Sequence, residues 1–275
     1  MPWFENRLGE KLWYEDAGCG VPLLFLHGWC MSSVVWKRQF SGLSDTFRLV
    51  APDLRGHGKS RGASGQLDFG RFAADLADLI NHLNLSRLVL VGWSMGAQIA
   101  LQSYRQLHDR LAGLVLVSAT PCFTARDDFP FGLARKEAAG MHLKVERNIQ
   151  RALEGFHGRM FADGEIEDQQ EALQIKYLLD SVVPPDTTAA IDALDSLAGA
   201  DMRPLLTDIS APVLILNGDR DIICLPQASD YLAKHIKSSC RRVFTGCGHA
   251  FFLTRAEQFN NEIIEYAGRV CDRNA

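Results

Sequence analysis

Short apolar runs recur along the chain, and between them apolar residues return every third or fourth position. Beside the predicted strand Cys240–Phe244, Val21–Leu26, Arg48–Pro52, Arg87–Val91, Leu111–Ser118 and Pro212–Gly218 are such runs. Their lack of alternation predicts strands buried on both faces. Phe69–Leu85 places Phe72, Leu76, Leu79, Ile80 and Leu83 on one face of a predicted helix. Further helices are predicted from Ser94 to about Leu107, over Gln227–His235 and over Ala256–Val270. At the start, two amphipathic runs, Pro2–Asn6 and Lys11–Asp16, flank Leu8-Gly9-Glu10 and predict a β-hairpin. Strands alternating with helices imply an α/β fold, a mostly parallel sheet covered by helices. The rhythm stops between Thr120 and about Pro204, where Met141–Phe156 and Gln169–Leu179 are the clearest helices and no strand is convincing. The expectation is a core of residues 1–119 and 205–275, with 120–204 inserted as a helical cap over the carboxyl ends of the strands.

Composition changes this picture little. The chain has 275 residues, 47% of them apolar, enough for one large domain with an insertion. The net charge of −4 gives no global case for binding nucleic acid or an anionic membrane. The opening MPWFENRLGEKLWYED lacks the basic and apolar regions of a signal peptide. No apolar run approaches the ~20 residues that span a bilayer. Seven cysteines, an odd number with no C-x-x-C pair, fit reduced thiols in a cytoplasm, and no pair has zinc-ligand spacing. The expectation is a cytoplasmic monomer with neither metal nor cofactor.

Chemistry enters at Leu88–Gln98, LVLVGWSMGAQ. An apolar run ends at Gly92, and Ser94 precedes a helical pattern, so G-x-S-x-G stands between a strand and a helix. Such a turn lifts the Ser94 hydroxyl above a buried strand, at a helix N-terminus that favours negative charge. A serine needs a base, and the base needs an orienting group. Gly218-Asp219-Arg220-Asp221 follows one predicted strand and offers two carboxylates. Gly246-Cys247-Gly248-His249 follows the next and offers an imidazole. The remaining histidines lack such a context. Asp53 and His57 lie in the glycine-rich turn after Arg48–Pro52, and His27 precedes Gly28 and Trp29.

H-G-W, G-x-S-x-G, G-x-x-D and G-H, in this order and each after a strand, resemble the α/β-hydrolases along nearly the whole chain. The resemblance selects Asp221 over Asp219 as the acid and makes Ser94, Asp221 and His249 the catalytic residues. It makes His27, His57 and Asp53 structural. It draws the oxyanion hole from the backbone N–H groups of Trp29 and Met95. Serine at position 94, where relatives acting on epoxides or haloalkanes carry aspartate, implies ester, thioester, amide or carbon–carbon bond hydrolysis.

Three features narrow the resemblance: Trp29 after H-G, Trp93 before the serine, and Pro121-Cys122-Phe123-Thr124-Ala125-Arg126-Asp127 with Pro130 beyond it. Together they resemble the pimeloyl-acyl-carrier-protein methyl ester esterases of biotin synthesis, as does Ile149–Phe156 in the cap. That family implies an apolar tunnel lined by Trp29, Met95, Phe123, Phe131, Phe156 and Met160, with Phe156 on the acyl chain and Ser94 and His249 at its end. It also implies an acyl carrier protein as partner. Carriers are acidic, so their docking site is basic. Arg126, Arg135, Lys136, Lys144, Arg147, Arg151 and Arg159 are available, with Lys144, Arg147 and Arg151 spaced to share one helical face. The acidic group Glu165, Glu167, Asp168 and Glu171 confines such a patch to the first cap helix. The alternatives are a broader carboxylesterase or a carbon–carbon bond hydrolase of the same fold.

Overall fold

The computed structural model describes residues 2–63, 65 and 67–272. Apolar runs too short for helices pair edge to edge and build one sheet. Its strands are β1 (Trp3–Glu5), β2 (Lys11–Ala17), β3 (Pro22–Leu26), β4 (Arg48–Pro52), β5 (Leu88–Trp93), β6 (Leu111–Val117), β7 (Val213–Gly218) and β8 (Ser239–Phe244). Their order is β1-β2-β4-β3-β5-β6-β7-β8. β1 and β2 form the predicted hairpin, and β2 runs antiparallel to β4. All other pairs are parallel. β5 and β7 are buried at every position, as runs without alternation require when both faces are covered.

The helices outside the β6–β7 connection are α1 (Lys37–Leu43), α2 (Phe69–His82), α3 (Met95–Leu107), and, after β7, α8 (Pro226–His235), α9 (Phe251–Thr254) and α10 (Ala256–Asp272). α2 is capped by the Asp68 carboxylate, which accepts the Arg71 amide. Between β6 and β7 the chain runs through α4 (Arg135–Arg147), α5 (Ile149–Arg159), α6 (Gln169–Asp180) and α7 (Thr187–Gly199).

The single helix expected over Met141–Phe156 is two. Asn148 is extended, with φ −164° and ψ 98°, and its side chain accepts the Arg151 amide at 2.9 Å. An asparagine that prefers capping to helix interiors ends α4 and starts α5. Lys144 and Arg147 therefore lie on α4 and Arg151 on α5, not on one helical face. α7 was not among the clear predictions, because its alanines (Ala189, Ala190, Ala193) give a weak apolar pattern although all three are buried.

The acidic group before and at the start of α6 is partly engaged within the protein, with Glu167 and Asp168 exposed. Asp168 caps α6, Glu171 pairs with Arg38 at 3.1 Å, and Glu165 is buried. Likewise Arg126, half-buried, donates to the carbonyls of Gly199 and Ala200. Among the described residues, no helix is long and apolar enough to cross a membrane.

Candidate active site

The carboxyl ends of β3, β5, β7 and β8 bring the singled-out residues together. β5 ends at Trp93, and Ser94 follows with φ 56° and ψ −115°, a strained conformation for a serine. The strain belongs to a tight passage. A Cβ on Gly92 would meet the Gly96 carbonyl oxygen at 2.4 Å, and one on Gly96 would meet the Leu26 carbonyl oxygen at 2.4 Å. Glycine is required at both places so that α3 can start directly over the neighbouring strand.

Asp221 lies beyond β7 and is buried. Its Oδ1 accepts the amides of Ile223 at 2.8 Å and Cys224 at 2.9 Å, and its Oδ2 faces His249 Nδ1 at 2.8 Å. A carboxylate only accepts, so Nδ1 carries the imidazole proton and Nε2 presents its lone pair. Nε2 is buried and makes no hydrogen bond among the described residues. The Cys224 thiol lies beside Ser94. Burial, and secondarily the Asp221 charge, raises that thiol well above its ordinary range. Asp219, the rival carboxylate, is exposed and accepts the Gly246 amide at 2.7 Å. It shapes the β8 loop and does not reach the imidazole.

The His249 backbone is fixed on both sides. Its carbonyl accepts Trp93 Nε1 at 3.0 Å and Ser118 Oγ at 2.8 Å, and its amide donates to the Met160 carbonyl at 2.7 Å. Ser118 carried no signal in the sequence beyond closing a strand; its φ of 44° turns the chain at the end of β6.

The H-G-W loop lies against the serine, since a Cβ on Gly28 would sit 3.4 Å from Ser94 Cβ. His27 is buried; its Nδ1 donates to the Gly28 carbonyl and its Nε2 accepts the Leu54 amide at 2.9 Å. It braces this loop against the one after β4, where Asp53 accepts the amides of Ser33 and Lys59, each at 2.7 Å. Met95 opens α3 and is fully buried. Trp29 donates Nε1 to the Ala190 carbonyl at 2.8 Å and meets Phe156 edge-on, with ring centroids 5.2 Å apart.

A cavity of about 480 Å³ opens beside that aromatic pair. Trp29, Met141, Val145, Ala152 and Phe156 supply its apolar walls, and Lys144, Arg147, Arg151 and Arg159 its charge. The three cations expected on one face thus converge from two helices that meet at Asn148. Met160 is buried next to His249. Phe123 is buried and joins its carbonyl to the Leu133 amide. Phe131 instead packs edge-on against Phe129, in a separate cluster with Cys122 and Tyr231.

This geometry can be set beside known proteins. Residues 21–256 match the model of the alpha/beta hydrolase fold family. A pimeloyl-[acyl-carrier protein] methyl ester esterase of Nitrosomonas europaea is 35% identical over 249 residues, 89% of this chain and 95% of that one. One from Yersinia enterocolitica is 29% identical over 94% of this chain and 98% of that one. Among solved structures, an esterase from Exiguobacterium antarcticum superposes with a TM-score of 0.89 at 28% identity, covering 97% of this chain and 98% of the other. The chain belongs to the α/β-hydrolase family, and within it to the carboxylic ester hydrolases.

Proposed function

We propose that this protein hydrolyses the methyl ester of a pimeloyl chain presented on an acyl carrier protein, with residues 120–204 as the cap that receives it. The observation that carries this reading is the cavity between α4 and α5. Its walls suit an acyl chain, its four cations suit an acidic carrier, and Trp29 in its wall follows Gly28, which lies against Ser94. The relatives from Nitrosomonas europaea and Yersinia enterocolitica are named for this activity, which supports the reading.

In this mechanism the Ser94 hydroxyl turns to His249 Nε2, which takes the proton as the oxygen attacks the ester carbonyl. The backbone N–H groups of Trp29 and Met95 hold the tetrahedral oxyanion, a contribution of roughly 3–4 kcal/mol per donor in well-studied hydrolases. Collapse forms the acyl-enzyme and expels methoxide, which leaves as methanol with the proton from His249. Water, deprotonated by the same nitrogen, then releases the acid and restores Ser94. Asp221 keeps the imidazole in the required tautomer throughout.

The test is methanol release from methyl-pimeloyl carrier protein, with growth of a biotin auxotroph lacking its own esterase. The expected result is turnover and growth, both lost in Ser94→Ala with folding intact. Reversing charge at Arg147 and Arg151 to Glu should slow the carrier-linked ester and leave small p-nitrophenyl esters unchanged. Absent turnover of the carrier ester, with rapid hydrolysis of the small ones, overturns the carrier reading in favour of a broader esterase.

A further inference from the structure

Glu165 stands in a run of acidic residues and has the look of a surface charge in the sequence, yet its side chain is buried. Its Oε2 accepts the amides of Ala162 at 2.8 Å and Gly248 at 2.7 Å, and its Oε1 accepts the Thr254 hydroxyl at 2.5 Å. Gly248 and Thr254 lie on either side of His249, whereas Ala162 belongs to the turn after α5. One carboxylate therefore joins both flanks of the histidine segment to the helical cap. Two further bonds run the same way, because the Met160 carbonyl accepts the amides of His249 at 2.7 Å and Ala250 at 3.1 Å. The approach is close: a Cβ on Gly248 would lie 2.6 Å from the Met160 oxygen.

Met160 directly follows α5, whose Phe156 and Arg159 line the cavity. The helix that borders the cavity is thus one residue from the atom that holds the His249 amide. We propose that Glu165 is a positioning residue for His249, fixing the imidazole over Ser94 by clamping its backbone to the end of α5. This rests on the assignment of Ser94 and His249 to catalysis. The clamp acts on the base and not on the cavity walls, so its loss reduces kcat and spares KM.

The experiment compares Glu165→Ala, Glu165→Gln and the parent on p-nitrophenyl butyrate, with active sites counted by fluorophosphonate labelling. In Glu165→Ala, kcat per labelled site should fall ~10–100-fold, the effect of a small misplacement of a reacting group, with KM changed less than about twofold. Glu165→Gln should recover most of the activity. Its carbonyl can take the place of Oε2 and its amide can donate to Thr254 Oγ1, which then turns to the Phe251 carbonyl it already faces at 3.3 Å. A residue that only stabilised the fold would lower Tm and the number of labelled sites but not kcat per site. Thr254→Val, nearly isosteric, leaves Oε1 without its donor and decides the matter if Glu165→Ala does not fold: kcat per site should fall about threefold or more. Unchanged kcat per site in a labelled variant overturns the inference alone. A parent enzyme whose Ser94 takes no label overturns the reading of the site on which it rests.

Discussion

Asp221 divides its two oxygens between tasks: Oδ1 is occupied by the amides of Ile223 and Cys224, and Oδ2 is left for His249 Nδ1. The backbone bonds fix the rotamer, so the carboxylate cannot turn away from the imidazole without losing two partners. Asp221→Asn puts an amide in the same place, and an NH₂ group facing Nδ1 favours the tautomer with the proton on Nε2. That imidazole is no base toward Ser94. The expected loss in kcat is roughly 10⁴-fold, by comparison with the same change in a well-studied serine protease, with Tm little changed; stopped assays on p-nitrophenyl esters will read it. In the sequence the local residues leave Asp221 and Asp219 both open, and only the family resemblance selects Asp221. The contacts of Glu165 and Ser118 are not legible at all. Each reaches a partner far along the chain, and nothing in an acidic run or a strand end announces it.

At the scale of elements, the sheet was readable because burial on both faces writes itself as unbroken apolar runs, as in β5 and β7. The cap was harder. α4 and α5 present few buried residues, Ala138 and Val145 on α4 and Leu153 on α5, so apolar periodicity is faint there and does not mark the break at Asn148. That break gives the cavity its cations, since it turns Arg151 toward the same opening as Lys144 and Arg147. Asn148→Ala removes the cap on α5 and favours one continuous helix. It should cost about 1 kcal/mol in urea unfolding and lower turnover of the carrier-linked ester, whereas Asn148→Asp, which caps as well, should keep both. Equal carrier turnover in Asn148→Ala and the parent would detach the helix break from substrate recognition.

Across the whole molecule, the loops that carry the H-G-W and glycine-rich motifs meet over two buried histidines, with ring centroids 5.4 Å apart. Burial pushes the His27 imidazole down to about 4, against the weaker opposing pull of the Gly28 carbonyl. Burial first and the His27 neighbour second push His57 down to about 3. Each ring donates Nδ1–H to a carbonyl, of Gly28 and of Arg55, which suits the neutral form. In the unfolded chain both titrate near 6.5. Below that pH the unfolded state binds protons that the folded state refuses, so stability is full above about 6.5 and declines as pH falls toward the folded values. Each histidine adds a slope approaching about 1.4 kcal/mol per pH unit. Urea unfolding between pH 6.5 and 5, above the range in which ordinary carboxylates titrate, should therefore show stability falling steeply. His57→Asn, whose amide can still donate to the Arg55 carbonyl, should reduce that slope by one histidine's share, about 1 kcal/mol per unit averaged over this window, whatever it does to stability at pH 8. An unaltered slope would mean that His57 takes up its proton in the folded state at an ordinary pH. The acid sensitivity of these loops would then rest on other groups.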